Sequence, residues 1–188
     1  YHELEVINEV AKEHNIVLRV GVRINSNYAI EGGDILPNKF GIDEESLLPH
    51  KEFIDSLKNI KICGIHVHLK SQILNYETLY NYYKDVLELA VFCVDEMGFD
   101  MDFVNFGGGL GVAYSQRENE LEIESLGQKC RELINEFKEK LNCRLIIESG
   151  RFIVCKSGTY ITFIIDKKVS RGGNYLIVAN GYNGFHKT

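Results

Sequence analysis

The chain has 188 residues, of which 45% are hydrophobic and 26% charged, and these proportions are ordinary for one globular core. Its net charge of -6, without a basic cluster, argues against a nucleic-acid surface. It contains no apolar run of membrane-spanning length, no secretory pattern and, among five scattered cysteines, no C-x-x-C pair. We therefore expect a cytoplasmic protein with reduced thiols and with neither membrane nor nucleic-acid partners.

The predicted elements alternate between strands and helices. Four short apolar segments rich in β-branched residues are typical of buried strands: 17–25, 61–68, 102–108 and 144–149. Residues 76–98 and 126–142 carry apolar side chains at helical spacing, and Gly98 is placed to end the first of these helices. Asp43 is placed to cap another helix start, which Pro49 then interrupts.

The last quarter of the chain differs, because residues 158–181 predict two strands around a Gly-Gly turn without a helix between them. The alternation before it predicts a parallel sheet, either a (β/α) barrel or a doubly wound sheet. Only about half of an eight-fold barrel fits as clear β-α units. Since Tyr1 is not a methionine and opens within a helical pattern, we expect the second half of a barrel from a longer protein.

Polar side chains recur at the carboxyl end of every predicted strand. They are Arg23, Asn25, His66, His68, Asn105, Glu148 and Arg151. In a parallel barrel these ends converge on one face, where active sites lie. The pattern therefore predicts a single active site built from all four strands.

Three consecutive glycines, Gly107 to Gly109, follow the third strand, where they pack nothing and cost backbone entropy. Their N–H groups can approach an anion closely, which favours a phosphate group. A phosphate monoester fits better than a dinucleotide because the spacing is not G-x-G-x-x-G. The alternative is a tight turn between strand and helix that binds no ligand.

The neighbouring strand ends supply charged partners for such a ligand. Arg151 can bring paired donors to the phosphate, and Ser71 can add a hydroxyl. Glu148 lies in an apolar strand and needs a cationic partner, either Arg151 or a protonated ligand nitrogen. His66 and His68 point to the same face of their strand, where H-x-H spacing suits a metal and a buried core histidine is the simpler explanation.

Five short motifs, in their order along the chain, resemble those of the fold-type III pyridoxal-phosphate decarboxylases. This is the group of diaminopimelate, ornithine and arginine decarboxylases. The motifs are NKFGI (38–42), GIHVHLKSQ (64–72), VNFGGGLG (104–111), IESGR (147–151) and ANGYNGF (179–185). The resemblance implies a partial (β/α)8 barrel of TIM type, alanine racemase-like, over residues 1–179. Residues 180–188 would then begin the crossover to a C-terminal β-domain that is not in this chain.

The resemblance also implies a cofactor, pyridoxal 5'-phosphate, and no metal. The residues implied to bind its phosphate are Ser71, Gly107, Gly108, Gly109 and Arg151, and Gly150 is implied to bind the cofactor as well. Glu148 would pair with the pyridine nitrogen and His68 would stack on the ring, so both are implied to be catalytic. Arg23 matches an arginine that lines the same pocket.

The full-length parent is then expected to be a homodimer that decarboxylates a basic or dicarboxylic amino acid, with siderophore or secondary-metabolite synthesis as a candidate setting. The family's Schiff-base lysine and its partner-subunit cysteine segment match nothing here, so the chain alone is expected to be inactive. Lys70, Ser149 and Asn180 replace a glycine, a proline and an aspartate of the family pattern. Of these, Lys70 and Asn180 border the expected site and leave the substrate open.

Two other functions compete with this one. A catalytically silent relative would keep the barrel and bind protein partners, but it has no need of the retained cofactor residues. A zinc hydrolase would use His66 and His68, but it needs further ligands at later strand ends, where Arg151 would face the metal unfavourably.

Overall fold

The computed structural model describes residues 1–33, 35 and 37–181. They form two compact units, Tyr1–Phe152 and a second unit that begins at Ile153. The predicted domain boundary between residues 179 and 180 stays a prediction. Residues 182–188, which include most of the fifth motif, lie outside the described residues.

Helices and parallel strands alternate in the first unit. In chain order the elements are α1 (His2–Glu13), β1 (Leu18–Asn25), β2 (Ile42–Asp43), α2 (Lys51–Ser56), β3 (Ile60–Val67), α3 (Tyr76–Asp95), β4 (Phe103–Asn105), α4 (Ile123–Phe137) and β5 (Arg144–Ile146). The short helix α5 (Arg151–Val154) follows, and only its first two residues belong to this unit. The strands form one sheet in the order β2-β1-β3-β4-β5, and every neighbouring pair is parallel. The predicted parallel sheet is therefore confirmed.

One hydrophobic core joins this sheet to its helices. Ile65 of β3 and Val104 of β4 are fully buried, and they belong to the same apolar cluster as the stripe along α3. Five residues of α3 have no exposed surface, namely Leu79, Tyr82, Val86, Ala90 and Cys93. The helical spacing read from the sequence therefore predicts the buried face of α3 correctly.

The ends of α3 are set by local chemistry. The Asn75 side-chain oxygen accepts a hydrogen bond of 2.9 Å from the Thr78 N–H, which satisfies one of the free donors of the first turn. The helix ends at Asp95, and Gly98 follows with a φ of 72°, a left-handed conformation that glycine adopts easily. The predicted helix 76–98 is thus real but shorter at its end.

Asp43 does not cap a helix as predicted. Its side chain makes no capping hydrogen bond, and its Oδ1 instead accepts a hydrogen bond of 2.9 Å from Asn25 Nδ2. Two short 3₁₀ turns, Glu44–Ser46 and Leu48–His50, precede α2. The carboxylate is therefore used to join the ends of β1 and β2 rather than to begin a helix.

The second unit contains an antiparallel hairpin of β6 (Ile164–Ser170) and β7 (Gly173–Val178). Its two-residue turn is formed by Arg171 and Gly172, with φ values of 49° and 82°. Positive φ at both positions matches the right-handed twist of a hairpin. The predicted Gly-Gly turn is therefore shifted by one residue, because Gly173 pairs with Ser170 in the ladder.

Candidate active site

The parallel register places the predicted polar residues at one level of the sheet. Arg23 on β1 is paired with His66 on β3, and His66 is paired with Asn105 on β4. Asn105 is in turn paired with Ile146 on β5, directly before the loop that carries Glu148. The strand ends therefore bring residues from four separate sequence segments to one edge of the sheet.

Glu148 is held by an amide rather than by a cation. Its Oε1 accepts a hydrogen bond of 2.9 Å from Asn105 Nδ2 and lies 3.8 Å from His66 Nε2. Burial lowers the pKa of His66, which favours the neutral ring, and the His66 Nε2 atom is buried without a hydrogen bond. Among the described residues Glu148 Oε2 has no partner, so the carboxylate keeps one oxygen for a ligand.

His68 faces the glycine loop. Its Nδ1 accepts a hydrogen bond of 3.0 Å from the Gly108 N–H, so this nitrogen carries no proton. Burial, followed by the nearby charge of Arg23, lowers the pKa of His68 below its ordinary value. Arg23 itself donates to the His68 carbonyl at 3.5 Å and lies over the Phe40 ring at 4.6 Å. The arrangement therefore holds a neutral imidazole beside a cation.

The glycine loop uses two of its three N–H groups inside the protein. Gly107 donates to Asn105 Oδ1 at 2.9 Å, and Gly108 donates to His68. Within the part of the chain that the structure describes, the N–H groups of Gly109 and Leu110 have no hydrogen-bond acceptor. Of the three glycine amides predicted to bind an anion, only that of Gly109 is available, together with the amide of Leu110.

Gln72 is a residue whose position sequence reasoning did not single out. Its Oε1 accepts hydrogen bonds from the Val112 N–H at 3.2 Å and from Arg151 Nη1 at 3.4 Å, and its Nε2 donates to the Val112 carbonyl. Its backbone has a φ of 64°, an unusual value outside glycine. One amide side chain therefore connects the loop after β3, the glycine segment and the predicted phosphate arginine. Its place directly after Ser71 was the available signal.

Tyr82, on α3, contacts the ends of both β3 and β4. Its buried hydroxyl lies 3.0 Å from the Val67 carbonyl and 2.8 Å from the Phe106 carbonyl, and it donates its single proton to these acceptors. Burial raises the pKa of Tyr82 strongly, so the group stays protonated. The ends of β3 and β4 are therefore fixed relative to each other.

The remaining predicted residues lie around this centre. Ser71 is exposed, and the Gly150 N–H donates to the Glu148 carbonyl at 3.1 Å, which closes a tight turn before α5. Lys70 forms an ion pair, because its Nζ lies 3.2 Å from Glu31 Oε2. Both side chains of that ion pair are about half exposed.

Two kinds of feature are missing from residues 1–33, 35 and 37–181. No three His, Cys, Asp or Glu side chains come together as a candidate metal site. No helix in this part of the chain has the length and apolar character needed to cross a bilayer.

The family follows from comparison with known sequences. Residues 1–155 match the family model described as pyridoxal-dependent decarboxylase, pyridoxal binding domain. That match covers most of the chain, so the chain belongs to the pyridoxal-dependent decarboxylases. The predicted family resemblance is confirmed.

Individual relatives narrow the comparison. The chain is 31% identical over 186 residues to the L-glutamyl-[BtrI acyl-carrier protein] decarboxylase of Niallia circulans, covering 95% of this chain and 43% of the relative. It is 30% identical over 203 residues to the diaminopimelate decarboxylase of Aquifex aeolicus, covering 98% of this chain and 46% of the relative. The chain spans less than half the length of these relatives.

Solved structures agree with this assignment. The diaminopimelate decarboxylase of M. jannaschii in complex with L-lysine is similar with a TM-score of 0.77 at 27% identity, over 97% of this chain and 44% of that one. The Helicobacter pylori enzyme complexed with L-lysine gives 0.74 at 28% identity, over 97% and 45%. The expected partial barrel of TIM type is confirmed, and its placement as the second half stays a prediction.

Proposed function

We propose that the strand ends around Glu148 hold pyridoxal 5'-phosphate and that the full-length protein uses it to decarboxylate an amino acid. One observation carries the proposal. Hydrogen bonds join Glu148 to Asn105, Asn105 to Gly107, and Gly108 to His68, and the peptide bond between Gly107 and Gly108 connects them. The implied acid, ring-stacking residue and phosphate loop thus form one connected unit in a chain of this family.

The chemistry of these residues fits such a cofactor at both of its ends. A phosphate needs donors, and the N–H groups of Gly109 and Leu110 have no acceptor among the described residues. Arg151 is a further donor, and it is joined through Gln72 to Val112 in the segment after the glycines. The bare backbone at Gly107 is also required, because a Cβ there would lie 2.6 Å from the Val67 carbonyl oxygen. A protonated ring nitrogen needs an anionic acceptor, and Glu148 Oε2 has no partner among the described residues.

Each residue then has a defined task. Pyridoxal phosphate, when bound, withdraws electrons from the α-carbon of an amino acid as its carboxylate leaves. Glu148 would accept the hydrogen bond of the protonated ring nitrogen and keep that proton in place. The neutral imidazole of His68 would offer an uncharged face to the ring, and Arg151 would bind the phosphate. Arg23, Ser71 and Gly150 complete the proposed pocket.

A cavity of about 400 Å³ beside the carboxyl ends of β1 and β3 is the candidate place for the substrate side chain. Its lining includes Asn25, Tyr28, Leu69 and Lys70. The substrates in the names of two relatives are diaminopimelate and an L-glutamyl acyl-carrier protein. They support a basic or dicarboxylic amino acid as the substrate of the full-length protein. A siderophore or secondary-metabolite setting, a homodimer and a cytoplasmic location remain parts of the proposal.

The test is an absorbance scan of the full-length protein with added pyridoxal phosphate, followed by borohydride reduction and mass spectrometry. We expect a visible-edge absorbance band and a reduced adduct on a lysine outside residues 1–188. Glu148→Gln should still bind the cofactor, but it should decarboxylate at least about tenfold more slowly, the scale of a lost acid–base partner. A full-length protein that binds no cofactor contradicts the proposal and favours the catalytically silent relative.

A further inference from the structure

Asn105, the last residue of β4, uses both halves of its side-chain amide at the candidate site. Its Oδ1 accepts the Gly107 N–H, and its Nδ2 donates to Glu148 Oε1, each at 2.9 Å. The loop after β4 and the loop after β5 are also joined by their backbones, because the Glu148 N–H donates to the Gly107 carbonyl at 2.7 Å. One side chain therefore contacts both loops where they meet.

The orientation of this amide follows from its neighbours. The Gly107 N–H can only donate, and the Glu148 carboxylate can only accept. Turning the Asn105 amide over would place its NH₂ group against the Gly107 N–H and its oxygen against the carboxylate, so both contacts would become repulsive. The amide therefore has one stable orientation, and that orientation restrains Glu148 Oε1.

We infer that Asn105 is a positioning residue that holds Glu148 Oε1 so that Oε2 alone faces the ring nitrogen of the cofactor. The inference rests on the proposed function. Oε1 is engaged by Asn105 and lies beside His66, while Oε2 has no partner among the residues described. The two oxygens of Glu148 thus have separate tasks, one structural and one toward the ligand.

The amide is needed here because an aspartate of the same shape would carry the wrong charge. A carboxylate at position 105 could still accept the Gly107 N–H, but its second oxygen would face Glu148 Oε1 at hydrogen-bond distance. Two carboxylates this close repel each other, so the contact that now holds Glu148 Oε1 would be lost or the pair would titrate as a coupled unit. His66, the nearest imidazole, is half-buried, and this burial lowers its pKa and disfavours the cation that would offset the second negative charge.

The experiment compares Asn105→Asp, Asn105→Ala and wild type in the full-length protein. Asn105→Asp exchanges the donor toward Glu148 and keeps the acceptor for Gly107, whereas Asn105→Ala removes both contacts. Asn75→Asp is the matched control, because it adds the same charge at the α3 cap, where aspartate also accepts the Thr78 N–H. We measure kcat and KM across pH, cofactor affinity, and hydrogen exchange at the Gly107 amide without cofactor.

We expect Asn105→Asp to lower kcat by about tenfold or more, with KM and cofactor affinity within about threefold, and to add one ionisation to the pH profile. Gly107 exchange should stay slow in Asn105→Asp and rise about tenfold or more in Asn105→Ala. Wild-type kinetics in Asn105→Asp, with wild type binding cofactor normally, would overturn the inference and leave the proposed function intact. A wild type without cofactor binding would overturn both.

Discussion

Gly107→Ala is the substitution whose cost can be worked out most directly from the geometry. Gly107 has a φ of 68°, and alanine in this left-handed region costs about 1–2 kcal/mol. The new Cβ would lie 2.6 Å from the Val67 carbonyl oxygen and 2.7 Å from His68 Nδ1. The carbonyl is fixed by Tyr82, so relief requires a backbone shift that costs about 1–3 kcal/mol more.

The expected loss is therefore about 2–5 kcal/mol in the free energy of unfolding, a large part of the roughly 5–15 kcal/mol of a typical protein. Urea denaturation of the full-length protein measures it, and cofactor titration measures the second consequence. Any shift of Gly107 also disturbs the hydrogen bond from the Glu148 N–H to the Gly107 carbonyl. We therefore expect weaker cofactor binding together with lower stability.

Two other glycines provide matched controls. At Gly108 a Cβ would lie 3.1 Å from the Glu148 carbonyl oxygen without a left-handed φ, so Gly108→Ala should cost only about 1 kcal/mol. At Gly127, inside α4, a Cβ would meet nothing within 4 Å, and Gly127→Ala should stabilise by about 0.5–1 kcal/mol. If Gly107→Ala cost no more than Gly108→Ala, the argument from backbone conformation and close approach would be refuted.

Three further predictions concern single side chains of the first unit. Tyr82→Phe leaves two buried strand-end carbonyls without their donor and should cost about 1–3 kcal/mol in urea denaturation. Arg151→Ala in the full-length protein should weaken cofactor binding by about 2 kcal/mol, and an unchanged affinity would contradict its phosphate role. Burial lowers the pKa of His66 and His68 below the unfolded value of about 6.5, so the unfolded chain binds protons more readily. The free energy of unfolding should therefore fall as pH drops below about 6.5. In the double variant His66→Asn, His68→Asn, the urea midpoint should depend less on pH than in wild type.

The strands and main helices were predictable because each follows from a local pattern. Segment 61–68 carries a mostly apolar run at residues 62–65, which is typical of a buried parallel strand, and it forms β3 at Ile60–Val67. The spacing in α3 is equally local, and so is its cap at Asn75. The predicted strand ends were less accurate. The strand predicted over residues 102–108 ends at Asn105, before the glycines, because its length depends on pairing with the neighbouring strands.

The partners of the polar side chains were not predictable in the same way. Asp43 has the right type for a helix cap, but it bonds Asn25 because β1 and β2 happen to be neighbours in the sheet. For Glu148 the sequence predicted a cationic partner, either Arg151 or a protonated ligand nitrogen, but not the hydrogen bond that one of its oxygens accepts from Asn105, a residue far away in sequence. Such contacts depend on strand order and register, which hydrophobic patterns do not specify.

The glycine loop illustrates the difference between residue type and role. Three glycines predict that backbone must come close to something, and two different things are close here. Gly107 is required by the protein itself, since its Cβ would strike the Val67 carbonyl, whereas the unengaged N–H groups begin only at Gly109. The Gly107 N–H holds the side chain of Asn105, which binds Glu148, and the Gly108 N–H holds the imidazole of His68. The loop therefore holds these side chains in place without a bound ligand. For this reason Gly107→Ala should lower both the free energy of unfolding and the affinity for the cofactor.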